Sequence, residues 1–104
     1  MFQCSVGMGA KASGFCVTFE NGWTISVQWG PGNYADNHDV AFTCQEREGA
    51  LLSSKVAEIA AWNKPDTMWW DFDEKKPVNS AGYVKGWVKP NELIGYMKNV
   101  SEIV

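Results

Sequence analysis

The sequence predicts an α+β fold: a mostly antiparallel sheet of five to six strands packed by one C-terminal helix. Three observations carry this expectation. Phe15, Val17 and Phe19 alternate with Cys16 and Thr18, and Trp23, Ile25, Val27 and Trp29 alternate with Thr24, Ser26 and Gln28. Between the two runs lies Asn21-Gly22, a pair that accepts the positive φ values of a tight hairpin turn. Beyond Pro90 the apolar residues change period, with Leu93, Ile94, Met97, Val100 and Val104 forming one helical stripe.

The hairpin pairs 15–19 with 23–29. Period-two alternation places its aromatic and branched residues on one face and its hydroxyl and amide residues on the other. Val40, Phe42 and Cys44 alternate with Ala41, Thr43 and Gln45, which predicts a strand over 40–45. Residues 53–63 fit either a helix or a strand. Lys64-Pro65-Asp66-Thr67 is turn chemistry, and Met68, Trp70 and Phe72 alternate behind it. These features favour a second hairpin, 54–62 with 68–72. A short strand over 83–88 follows a polar loop, with Gly86 as a candidate bulge. The helix is expected over 90–101, opened by Pro90, with Glu92 near its positive end and Lys98 near its negative end. Residues 1–13, small and Gly-rich, read as a flexible arm or irregular edge ahead of a single domain, 1–104.

Composition narrows the function. The chain has 104 residues, room for one core. No run of eighteen apolar residues exists, so no membrane span is expected. No secretory leader pattern opens the sequence, which makes the cytoplasm the default location. The net charge of −3 disfavours general nucleic-acid binding, which rests on a basic surplus. Three cysteines, Cys4, Cys16 and Cys44, without a C-x-x-C spacing suit neither a disulfide framework nor a zinc ribbon. No cofactor or metal is predicted. Six tryptophans are too many for so small a core, so some must line a surface, groove or interface.

The run Phe19-Glu20-Asn21-Gly22-Trp23-Thr24-Ile25-Ser26-Val27-Gln28-Trp29-Gly30-Pro31-Gly32-Asn33-Tyr34 resembles a family of small uncharacterised phage and prophage proteins. Ala57-Glu58-Ile59-Ala60-Ala61-Trp62 and Val84-Lys85-Gly86-Trp87 extend the similarity over roughly residues 14 to 100. The resemblance implies a phage-linked origin and a host-cell cytoplasm setting. It implies no catalytic residue.

Two groups of residues are candidates for function. In the first, Gly30 and Gly32 let the backbone approach a ligand, with Asn33, Tyr34, Asp36 and His38 beside them. A plain connecting loop explains the same residues. Asp36, His38 and Asp39 lack the further ligands a metal site needs, and His38 has no identifiable nucleophile or orienting partner. Asp71 and Asp73 are spaced for one strand face, where a charged edge accounts for them as well as acid–base chemistry does. The second group is Trp62, Trp69 and Trp87, out of phase with their aliphatic neighbours and suited to anchoring a partner or stacking on a base.

These readings predict a non-enzymatic phage-encoded binding protein that contacts a host protein or itself. Its most concrete form is an inhibitor of a bacterial defence system. The alternatives are a protein that sequesters a small ligand such as a nucleotide signal, and a virion or assembly component.

Overall fold

A computed structural model describes residues 1–6, 12–30, 54–65, 67–79 and 82–104. Each strand expected within these residues is present, with bounds that differ: 57–63 for 54–62, 68–71 for 68–72 and 85–88 for 83–88. The elements are β1 (Phe2–Val6), β2 (Ala12–Thr18), β3 (Thr24–Gln28), β4 (Ala57–Asn63), β5 (Met68–Asp71), β6 (Lys76–Val78), β7 (Lys85–Val88) and helix α1 (Pro90–Ser101). The expected α+β arrangement is therefore present, with seven strands among the described residues. The strand expected over 40–45 lies outside them.

All pairings are antiparallel and run in the order β1-β2-β3-β4-β5-β6. Strand β4 is the hub. It pairs β3 along one side; on the other it takes β7 near Ala57 and Ile59 and β5 at Trp62 and Asn63. Residues 57–63 are thus strand, which settles the ambiguity of this segment. Residues 2–6, expected as an arm or irregular edge, form an edge strand against β2 whose register shifts between Ser5 and Val6, an irregular edge as expected. Residues 76–78, expected as loop, pair with β5.

Directly opposite residues share a sheet face, so the registers define the layers. Phe2, Val17, Ile25 and Ala61 form one row; Cys4, Phe15, Val27 and Ile59 form another. Ile25, Val27, Ile59 and Ala61 are buried there under α1, with Val17, Trp23, Trp70, Phe72 and Val88. Fully burying each aliphatic side chain contributes about 1.5–3 kcal/mol. Trp23 and Trp70 meet edge to face at 5.7 Å, inside this layer.

The helix has the expected bounds but a rotated stripe. Val100 is buried, and Leu93, Tyr96, Met97 and Ile103 pack on the sheet. Ile94 and Val104, assigned to the stripe from sequence, point to solvent. The Glu92 carboxylate accepts a hydrogen bond from Lys89 N–H at 3.0 Å, closing the first turn. Tyr96 also meets Phe72 edge to face, at 5.3 Å.

The first hairpin turns differently from a two-residue Asn-Gly turn. Phe19 N–H donates to Trp23 O and Gly22 N–H to Phe19 O, so the loop has three residues, Glu20 to Gly22. Within it only Gly22 has positive φ, at 87°. Asn21 is left to do other work. Its Nδ2 donates to Val100 O at 2.8 Å and Ile103 O at 3.0 Å, tying the turn to the end of α1. Its Oδ1 accepts from Trp23 N–H.

Candidate functional site

The face turned away from α1 is the candidate site. Its rows follow from the same registers. Thr18, Thr24, Trp62, Trp69 and Val78 stand in line across β2 to β6, and Met1 lies beside Thr18. Cys16, Ser26 and Ala60 form the next row, flanked by Gln3.

Trp62 and Trp69 are there because of local sequence parity. Ile59 and Ala61 enter the core, so Trp62 turns outward from β4; Trp70 enters the core, so Trp69 turns outward from β5. The four-residue loop Lys64 to Thr67 sets Asn63 opposite Met68 and hence Trp62 opposite Trp69. The rings stand 5.5 Å apart at 44°. Such a cross-strand pair is worth about 0.5–1.5 kcal/mol and holds both rings in place. Both remain half-buried.

Polar groups frame the pair. The Thr18 and Thr24 hydroxyls are hydrogen-bonded to each other at 2.9 Å. Gln28 Nε2 donates to Ser26 Oγ at 3.0 Å. A concavity of about 280 Å³ opens beside Trp62, lined by Gln3, Cys16, Thr18, Thr24 and Lys64 among others. A second, of about 360 Å³, is lined by Trp62, Asn63, Lys64, Thr67, Met68 and Trp69. The site is an aromatic pair with two hollows, both of which reach Trp62 and Lys64.

Trp87 is elsewhere. It sits at the β7 end of β4, where Gly86 and Trp87 occupy the space opposite a single residue, Glu58. Trp87 takes φ 58° in this bulge and is 56% exposed. Its neighbours across a separate hollow are Lys55, Val56, Lys89 and Pro90. The expected aromatic trio is therefore a pair and a single residue. Asn33, Tyr34, Asp36 and His38 lie outside the described residues, so the glycine loop contributes no geometry.

The carboxylates Asp71 and Asp73 are occupied structurally. Asp71 Oδ1 accepts from the N–H groups of Asp73 and Glu74, each at 2.9 Å, across the β5–β6 loop. The Glu74 N–H is the main reason the Asp71 carboxyl lies below its ordinary range; burial opposes it, and the Tyr83 hydroxyl and Asp73 N–H assist. The same hydrogen bond to Asp71 pushes the Tyr83 phenol upward. Asp73 pairs with Lys85 Nζ at 2.6 Å. Sequence reading missed the Tyr83 contact, because nothing in a one-dimensional pattern links residues twelve apart across a loop. Among the described residues no group of three or more His, Cys, Asp or Glu is arranged to hold a metal ion. No helix there is long and apolar enough to cross a membrane.

The chain matches no family model, no curated protein and no solved structure.

Proposed function

We propose that the chain is a non-enzymatic binding protein whose anchor is the Trp62–Trp69 pair on the sheet face opposite α1. The observation that carries the reading is the registered pairing of two large rings outside the core. Half-buried tryptophans fixed by a neighbour lose little entropy on binding and dominate the energetics of contacts they enter. The hydroxyl row of Thr18 and Thr24 supplies polar groups beside this anchor. The phage setting rests on the motif resemblance alone. In that setting the target is a host cytoplasmic protein, and inhibition of a bacterial defence system is the most concrete version.

The test is a pull-down from host lysate with the wild-type chain and with Trp62→Ala and Trp69→Ala. A stoichiometric partner is expected with wild type. Each variant should bind it about 30-fold more weakly or worse, the effect of losing an anchor worth about 2 kcal/mol or more, while unfolding remains cooperative. A partner held equally well by both variants would remove the face from consideration. Absence of any stoichiometric partner would count against the protein-contact reading itself.

A second reading is favoured by one feature, the hollow where Trp62 meets Lys64 and two threonine hydroxyls. A ring, a cation and hydroxyl donors are the groups that bind a nucleotide's base and phosphate. Tryptophan emission that stays constant through titration with a nucleotide panel would eliminate this reading.

A further inference from the structure

We infer that the outer edge of β1, which no strand pairs among the described residues, is a self-association edge, pairing antiparallel with β1 of a second copy of this chain about a two-fold axis at Cys4. The inference is independent of the function proposed for the tryptophan face.

The hydrogen-bond phase of the edge comes first. Met1 N donates to Thr18 O, and Thr18 N–H donates to Met1 O, both at 2.8 Å. Met1 and Thr18 are therefore a hydrogen-bonded pair. In an antiparallel ladder such pairs alternate, so Gln3 is bonded to Cys16, while Phe2 and Cys4 turn their N–H and C=O groups away from β2. Among the described residues no strand pairs with that outer side.

The two ends of the β1–β6 path differ in chemistry. The far edge, β6, is three residues long and contains Lys76 and Pro77. A lysine and a residue without N–H are common protection against strand addition. Strand β1, Phe2–Val6, contains neither a proline nor a Lys, Arg, Asp or Glu. Its Phe2 side chain is 85% exposed, although it shares a row with buried Val17 and Ile25. The apolar layer thus runs out to the edge, where no described strand continues it.

A second copy fits this edge without any further element. Antiparallel pairing about a two-fold axis is self-complementary. The outward groups of Phe2 and Cys4 restrict the axis to registers that oppose even-numbered residues. The register that sets Cys4 opposite Cys4 also sets Gln3 opposite Ser5, and so lies within residues 2–5, ahead of the register shift between Ser5 and Val6. With the axis normal to the sheet, both copies carry α1 on the same side, and the two apolar layers become continuous. The two-fold contact uses each β1 edge once, so this pairing joins two copies and leaves the proline-bearing β6 edges at the far ends of the path. The contact is small beside the roughly 1,600 Å² of standard interfaces, so the dimer forms in a concentration-dependent way.

The test uses the full chain with Cys4 as its one thiol (Cys16→Ser, Cys44→Ser). Sedimentation equilibrium should show mass rising from monomer to dimer with concentration, and a short bis-maleimide should yield a covalent dimer. Two edge variants follow. Cys4→Pro removes the central outward N–H, which β2 does not use, and Cys4→Lys sets two like charges across the axis. Both should shift the dissociation constant upward at least tenfold while circular dichroism stays unchanged. If Cys4→Pro disturbs the strand, Cys4→Lys decides. A strict monomer at millimolar concentration, a dimer insensitive to Cys4→Lys, or a dimer that fails to cross-link through Cys4 overturns the inference.

Discussion

Lys75 holds φ at 55° in the loop between β5 and β6, where its N–H closes a turn onto Asp71 O at 2.8 Å. A residue with a Cβ loses about 1–2 kcal/mol in that backbone region, and glycine does not. Lys75→Gly should raise stability by about 0.5–1 kcal/mol after glycine's own entropy cost, read from the urea midpoint. Asp71, in the same loop, gives a pH signature. Its folded pKa is depressed below the unfolded value, so its contribution is present above the unfolded pKa, near 4. That contribution fades as pH falls from about 5 through the folded pKa. Asp71→Asn keeps an acceptor oxygen and cannot ionise. The stability gap between wild type and variant should therefore narrow from pH 7 to pH 3; a constant gap would exclude Asp71 as the titrating group. At this scale the sequence was only partly readable. Gly86 marked the β7 bulge, yet the left-handed residue is Trp87, because bulge geometry is fixed by pairing to β4 and not by the local glycine alone.

Strands and helix were more legible, for a physical reason. Alternation in 15–29 is strong because one face of each strand carries the aromatic and branched residues; Trp23, Ile25 and Val27 are buried as their parity requires, and Ser26, of the opposite parity, is buried as well. Strand β6 left no such trace: three residues containing Lys76 and Pro77 carry no period. Strand β1 was missed because its pattern, Phe2 and Cys4 against Gln3, lies at an edge where both parities are exposed. The tryptophan pair was legible in principle. A four-residue loop between 63 and 68 fixes Trp62 opposite Trp69 once both flanks are strands. Strand β2 carries a constraint that patterning hides. A Cβ on Gly14 would fall against the Val27 carbonyl oxygen and Gln28 Cα of β3. Gly14→Ala should cost about 2–3 kcal/mol through forced separation of β2 and β3, measured by chemical unfolding. A loss below about 0.5 kcal/mol would mean that the strands separate freely there.

On the scale of the whole molecule, the sheet divides labour between its faces and its edges. One face buries the core under α1, the other carries the tryptophan ridge, and the β6 edge is closed by sequence. A two-fold pairing through β1 sets both ridges on the same side of one doubled sheet. A partner with repeated epitopes then gains avidity that neither copy has alone. The Asn21 turn has a consequence of a different kind, in time. Its amide joins residues 79 and 82 positions apart, among the longest separations the chain can offer. Contacts that close so large a loop form late, after the hairpin around Gly22 has supplied a local nucleus. Asn21→Ala should lose about 1–3 kcal/mol, and stopped-flow measurements should place nearly all of it in faster unfolding, with the refolding rate almost unchanged. A slowed refolding arm would instead put the helix clasp inside the folding nucleus. With refolding unchanged, the Asn21 amide sets how long the native state lasts once formed.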